Sequence, residues 1–402
     1  MKLRIEKSKA FGKIKAPASK SMAHRLLICA AMASGISRIC GISNCEDVLA
    51  TIDCLEALGV KTEFSGLDII VHGRDFKNLS ASSPLPCRES GSTLRFLIPP
   101  VMLSSSTTVF YGEQSLMKRP MNVYEKLFTE KGLTYIEDGR SIVVKGVLEG
   151  GEYSLVGNVS SQFISGLIFA LPLAKKDSYI KIAPPIESRS YINLTISAVK
   201  EFGIRCEWID EYTLKIPANQ AYSPRELTVE GDYSGAAFPE ALKLFGRDVE
   251  VLGLNPESIQ GDSVYKKYFA MLSQGVPTIH IGDCPDLGPI LFAVAAAKCG
   301  GVFSGTKRLK IKESDRASAM AEELKKFGAA VSVYEDSVVI YPKEFHKPSE
   351  VLYGHNDHRI VMALSILLSL VGGEIDGAEA VSKSYPDFFE DLKTLGIGVF
   401  EV

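Results

Sequence analysis

The chain has 402 residues, 46% of them hydrophobic and 23% charged, with a formal net charge of −3. This length exceeds one ordinary core and predicts two domains of roughly 200 residues each. The absence of a basic surplus argues against an extended nucleic-acid face, which needs a cationic stripe.

The chain opens on Met1-Lys2-Leu3-Arg4-Ile5-Glu6-Lys7, which lacks the apolar core of a secretory leader. The next segment, Ala16-Pro17-Ala18-Ser19-Lys20-Ser21, leads into Met22 to Leu27, a predicted helix with Ser19 or Ser21 as its cap and Gly35 as its stop. Ser21 and Arg25 share a face there, so Lys20, Ser21 and Arg25 place two cations and a hydroxyl at a helix start, where anions bind. Taken alone, a solvated helix start explains these residues better. The arrangement recurs, however. Glu89-Ser90-Gly91-Ser92-Thr93-Leu94-Arg95 puts a small-residue turn before an apolar helix, and Ser160-Ser161-Gln162 precedes Phe163 to Ile168. Cys284-Pro285-Asp286 precedes Ile290 to Val294, and Lys312-Glu313-Ser314-Asp315-Arg316 precedes a helix face of Met320, Ala321, Leu324 and Phe327. His355-Asn356-Asp357-His358-Arg359 opens Ile360 to Leu370, and Lys383-Ser384-Tyr385-Pro386 opens Asp387 to Leu395, with Pro386 suited to the first turn. The apolar run Ile360 to Val371 is too short to span a bilayer.

Ser, Asp and Asn at helix starts are ordinary caps. Cations there are not, because the positive end of the helix dipole disfavours them. Lys20, Arg316, Arg359 and Lys383 all take such positions on this reading, which calls for an anion to offset them. Eight cysteines without C-x-x-C and six histidines without H-E-x-x-H predict reduced, packed thiols in a cytoplasmic protein with no metal site.

A repeat underlies these segments: an amphipathic stretch, a Gly, then a β-like run, at Gly59, Gly132, Gly203, Gly328 and Gly396, with a weaker copy at Gly275. Successive copies are 73, 71, 72, 53 and 68 residues apart. Each Gly suits the residue just past a helix, where φ is positive. The period fits a supersecondary unit of two helices and several strands, about three copies per domain. The polar stretch Ala218 to Pro224 divides the copies into two sets, and Met1 to Lys13 precede the first unit and are free to pair with the second domain.

Together, Lys20-Ser21-x-x-x-Arg25, Ser90-Gly91-Ser92-Thr93-x-Arg95, Arg119-Pro120-Met121, Ser160-Ser161-Gln162-Phe163, Pro285-Asp286, Lys312 to Arg316, Asn356 to Arg359 and Lys383 to Phe388 closely resemble the enolpyruvyl transferases, in the branch acting on shikimate 3-phosphate. The motifs run in family order from residue 20 to residue 388. The resemblance implies an α/β fold of two similar domains, each of three βαβαββ units (an inside-out α/β barrel), spanning 14–226 and 1–13 plus 227–402, joined by crossover strands with the active site between them. It implies transfer of the carboxyvinyl group of phosphoenolpyruvate to the 5-hydroxyl of shikimate 3-phosphate, with release of phosphate and no cofactor, by a monomer. By motif position Asp286 takes the hydroxyl proton and Glu313 serves the methylene carbon. Lys20, Gly91, Arg119, Gln162, Arg316, Arg359 and Lys383 bind phosphoenolpyruvate. Lys20, Ser21, Arg25, Ser160, Ser161, Gln162, Ser188, Asp286 and Lys312 hold shikimate 3-phosphate. The first motif and Ser160 to Phe163 resemble the branch sensitive to glyphosate, a phosphonate that competes with phosphoenolpyruvate, so inhibition is expected.

Three residues depart from the family's pattern. Glu89 stands where Asn is usual, Phe96 where Pro often follows the Arg, and Arg308 where some members have Asn; no substrate role is carried onto Arg308. The sister transferase acting on UDP-N-acetylglucosamine resembles Lys-Asn at the first motif and carries a reactive Cys in a mobile loop, whereas this chain has Lys20-Ser21 and no Cys between Tyr111 and Tyr124. An RNA-terminal phosphate cyclase needs a basic RNA face that the net charge opposes. A non-catalytic anion-binding repeat protein has no use for Asp286 and Glu313 among its cations.

Overall fold

In the segment Glu152–Val156, Tyr153 and Leu155 are buried and their neighbours exposed, the alternation of a strand with one face on a core. That strand runs parallel to Ser178–Ala183, which is antiparallel to Thr213–Ile216, which is antiparallel in turn to Glu207–Trp208. This order of one parallel and two antiparallel pairings recurs in every four-stranded sheet of the protein. A computed structural model describes all residues from Met1 to Val402, and the chain divides into two compact units, Lys20–Val229 and Met1–Ser19 with Glu230–Val402.

The Lys20–Val229 unit holds three such sheets. Its middle repeat shows the βαβαββ order plainly: strand Leu85–Pro86, helix Gly91–Val101, strand Thr108–Tyr111, helix Asn122–Glu130 after a short turn of helix, then strands Thr134–Glu137 and Ser141–Lys145. In the first repeat the leading strand comes from Glu226–Thr228, which runs parallel to Ile36–Cys40. The other unit contains two four-stranded sheets and a parallel pair, Phe11–Lys15 with Asp248–Leu252. There Leu3–Ile5 lies between Gly373–Asp376 and Val399–Glu401, antiparallel to both. No helix is long and apolar enough to cross a membrane.

One helix of each repeat is apolar around most of its circumference and buried, as in Ser161–Ala170, Gly288–Ala297 and His358–Val371. The other, such as Arg189–Glu201 or Arg316–Lys326, has a polar outer face. The repeat glycines end the helices as expected: Gly59, Gly132, Gly203, Gly328 and Gly396 have φ between 68° and 90°. The weak copy at Gly275 departs, with φ 159°.

The inner helices meet at close range. The Tyr124 hydroxyl donates to the carbonyls of Arg95 (2.8 Å) and Phe163 (2.9 Å), tying helix Gly91–Val101 to helix Ser161–Ala170. A Cβ on Gly166 would lie 2.2 Å from that hydroxyl and 2.5 Å from the Arg95 carbonyl oxygen. Gly166→Ala is therefore expected to destabilise the protein by about 1–3 kcal/mol. Gly132→Ala, with open space around its Cβ and φ of 68°, bears only the left-handed backbone cost of about 1 kcal/mol. Urea unfolding of the two variants checks this, with Gly166→Ala the weaker protein.

Candidate active site

Helix Lys20–Met32 begins on the lysine itself. The Lys20 ammonium meets a carboxylate oxygen of Asp47 at 2.7 Å, both side chains being mostly buried. One turn on, Arg25 is 2% exposed. Its guanidinium donates to the carbonyl of Ser21 (2.5 Å), the hydroxyl of Thr195 (2.8 Å) and the carbonyl of Tyr191 (3.0 Å), and stands 5.0 Å from the ring centroid of Phe96. Every one of these partners is neutral. Burial lowers its pKa to about 10, still far above neutrality, so it remains a cation without a carboxylate.

Ser90 caps helix Gly91–Val101 by accepting from the Thr93 amide, and Ser160 caps helix Ser161–Ala170 through the Gln162 amide. The two caps bring Gly91 and Gln162 to one place. The Gln162 side chain accepts from Arg95 (2.8 Å) and donates to Ser92 (2.9 Å). A Cβ on Gly91 would lie 3.1 Å from Arg119 and 3.2 Å from Arg95. Gly91, Arg119 and Gln162 are thus neighbours. Ser161 and Ser188 are buried, and Ser188 takes a left-handed conformation (φ 56°) before helix Arg189–Glu201. Of the departures, Glu89 accepts from Ser115, and Phe96 is buried edge-on to Phe169 and beneath Arg25.

In the other unit, Asp286 sits on the short turn of helix Pro285–Leu287 and faces three cations: Arg316 at 2.7 Å, Lys312 at 3.1 Å and Arg359 at 3.7 Å. Arg316 is the first residue of its helix, capped by Asp315. It is 1% exposed and also pairs with Glu313 (2.6 Å) and Asp357 (2.8 Å). Asp357 caps helix His358–Val371 through the Arg359 amide. Arg359 is 3% exposed, and its Nε and Nη1 have no hydrogen-bond partner. Burial alone raises the Asp286 pKa, but the charges of Lys312, Arg316 and Arg359 outweigh it and hold the carboxyl well below its usual range. Burial lowers the Lys312 pKa, and Asp286 partly restores it.

Lys383 corrects one expectation. It ends the 3-10 helix Ala378–Lys383 instead of opening the next helix, which spans Phe388–Thr394 and leaves Pro386 outside. Its ammonium donates to the Asn356 carbonyl at 2.7 Å, so the dipole argument does not apply to it. Ser21 lies inside its helix and caps nothing, and the Ser19 hydroxyl is taken by Gln260 at 3.4 Å. Arg308 is buried and donates to the Gly282 carbonyl at 3.2 Å. The motifs gave no role to Asp47, Arg95 or Asp357. The last two stand inside quoted motifs, where their charge was visible; Asp47 has no local signal.

The EPSP synthase (3-phosphoshikimate 1-carboxyvinyltransferase) family description matches residues 5–392. A 3-phosphoshikimate 1-carboxyvinyltransferase of Clostridium perfringens is 38% identical, with 98% of each chain covered. One from Clostridium kluyveri is also 38% identical, over 98% of this chain and 96% of its own. Among solved structures, EPSP synthase from Acinetobacter baumannii superposes with a TM-score of 0.81 at 23% identity over the whole of both chains, a likeness of fold. The chain belongs to the EPSP synthase family, the carboxyvinyl transferases of 3-phosphoshikimate.

Removing the cation at the centre of three carboxylates leaves them repelling one another in a buried place. Arg316→Met is expected to lose about 3–5 kcal/mol of stability at pH 7. The sign with pH also follows. In the natural protein Asp286 has a depressed pKa, so its contribution is present above the unfolded value, about 3.9, and is lost only as pH falls through the lower folded value. In Arg316→Met the carboxylates gain stability on protonation. Its denaturation midpoint should therefore rise between pH 7 and pH 5, against a flat profile for the natural protein.

Proposed function

We propose that the two clusters divide the family's reaction between them, with each residue in the role its motif carries. The protein transfers the enolpyruvyl group of phosphoenolpyruvate to the 5-hydroxyl of shikimate 3-phosphate, a step of aromatic amino acid biosynthesis. The ether oxygen bonds to C2, C3 gains and then loses a proton, and phosphate leaves C2. Asp286 receives the hydroxyl proton, and Glu313 handles the proton at C3. Lys20, Arg119, Arg316, Arg359 and Lys383 hold the phosphate and carboxylate of phosphoenolpyruvate, with Gly91 and Gln162 beside them. Ser21, Arg25, Ser160, Ser161, Gln162, Ser188, Asp286 and Lys312 hold shikimate 3-phosphate, with Lys20 near both ligands. The protein works as a cytoplasmic monomer, without metal or cofactor.

The observation that carries this reading is Arg359: a buried guanidinium with two donors unpartnered, beside a carboxylate already shared by two other cations. Such donors cost free energy unless an anion takes them. Asp286 fits the same logic. Surrounded by cations it is a weak base, but anionic substrates that engage Lys312, Arg316 and Arg359 reduce the field on it and raise its basicity when it is needed.

Phosphate release from phosphoenolpyruvate should require shikimate 3-phosphate and continue in excess EDTA. Release with UDP-N-acetylglucosamine instead, or loss on chelation, would overturn the reading. Within that assay Asp286→Ala and Glu313→Ala should lower turnover by about 10²–10⁴-fold with substrate binding largely retained. Lys20→Ala and Arg359→Ala should weaken phosphoenolpyruvate binding by about 2–5 kcal/mol. Near-normal turnover in both carboxylate variants would remove the proton-transfer roles.

Glyphosate probes the subsite beside Gly91. A methyl there would stand 3.1 Å from Arg119 and 3.7 Å from Gln162, where a ligand longer than phosphoenolpyruvate has least room to spare. The natural protein should be inhibited competitively with phosphoenolpyruvate. Gly91→Ala should raise the glyphosate inhibition constant more than it raises the KM for phosphoenolpyruvate. Equal changes in the two constants would place the inhibitor elsewhere.

A further inference from the structure

Ahead of helix His358–Val371 the backbone makes a costly turn. His355 and Asn356 are consecutive left-handed residues, with φ of 51° and 52°, and neither is a glycine that would accept this freely. The turn has chemical consequences on its far side. The Asn356 carbonyl receives the Lys383 ammonium at 2.7 Å. The next residue, Asp357, accepts from Arg316 (2.8 Å), from Ser314 (3.1 Å) and from the Arg359 amide (2.9 Å). Three of the unit's cations are therefore set by the path of this one turn.

Behind the turn stands Glu323, fully buried on helix Arg316–Lys326. One carboxylate oxygen meets His355 Nε2 at 3.0 Å, the other accepts from the Tyr353 amide at 2.9 Å, and both lie within 3.0 Å of the Lys326 ammonium. Burial raises the Glu323 pKa, but these bonds bring it below the ordinary carboxylate value, so the grip is that of an anion. We propose that Glu323 is a positioning residue for phosphoenolpyruvate. By holding Tyr353 and His355 from behind, it maintains the left-handed turn that presents Asn356 to Lys383 and Asp357 to Arg316 and Arg359.

A metal reading of the same cluster is the rival, since donor atoms of Glu322, Glu323 and His355 lie within 4.8 Å of one another. Lys326 decides against it. Its ammonium already sits 2.9 and 3.0 Å from the two Glu323 oxygens, a tethered cation where an ion would bind.

The inference rests on Lys383, Arg316 and Arg359 serving phosphoenolpyruvate, and the test separates the two claims. KM for each substrate, kcat and thermal midpoint are measured for Lys383→Ala, Glu323→Gln, His355→Ala and Glu322→Gln. Lys383→Ala is the benchmark; if it leaves the KM for phosphoenolpyruvate unchanged, the binding role fails and this inference with it. Given that benchmark, Glu323→Gln should raise the KM for phosphoenolpyruvate by about tenfold, the size expected for losing one well-placed polar contact. The KM for shikimate 3-phosphate should stay near its natural value. His355→Ala should move in the same direction, and the exposed Glu322→Gln should do nothing. An unchanged KM for phosphoenolpyruvate in Glu323→Gln overturns the proposal. So does a parallel rise of both KM values with a fall in the thermal midpoint, the pattern of a merely structural residue. An equal loss in Glu322→Gln, together with a KM for phosphoenolpyruvate that added Zn²⁺ lowers in the natural protein but not in Glu322→Gln or Glu323→Gln, would favour the metal reading and also overturn it.

Discussion

Arg316 exposes 1% of its side chain, so water cannot satisfy its charge and the protein must. Asp286, Glu313 and Asp357 do so from three different segments, each within 2.8 Å. Asp286 in turn draws in Lys312 and Arg359, which sets three cations against three anions. A buried ion network of this kind adds little net stability, because desolvation cancels most of the Coulomb attraction. What it supplies is position: the side chains assigned to proton transfer and to anion binding are held before any substrate arrives.

The Lys20–Val229 unit solves the same problem differently. Lys20 has Asp47, but Arg25 is surrounded by a hydroxyl, two carbonyls and the face of Phe96. The aromatic ring partly stabilises the guanidinium through its quadrupole, yet no opposite charge is present. The two clusters differ in readiness, one internally neutralised and the other holding a surplus positive charge.

Much of this was legible in the sequence because local signals and global architecture agree. Six glycines at near-regular spacing mark the repeats, since five of them end helices in a left-handed conformation that favours glycine. Ser90, Ser160, Asp315 and Asp357 announce the helices they cap. The misreadings share one cause. Lys383 looks like a helix opener when only its neighbours in sequence are considered, but the chain folds a 3-10 turn there and sends the ammonium to Asn356. Asp357 looks like a cap and is one, which hides its second bond to Arg316. Asp47 and Glu323 are ordinary helix carboxylates in sequence; only tertiary packing brings them to Lys20 and to His355.

The proposed role of Arg25, a buried cation whose partners are all neutral, is to receive the phosphate of shikimate 3-phosphate. Thermal unfolding of the natural protein and of Arg25→Met, with shikimate 3-phosphate or with shikimate, tests it most directly, because a ligand raises the midpoint in proportion to its affinity for the folded state. Shikimate 3-phosphate should raise the midpoint of the natural protein alone, shikimate should shift it little, and the response should shrink as salt increases. Equal shifts for the two ligands, or an undiminished shift in Arg25→Met, would contradict it.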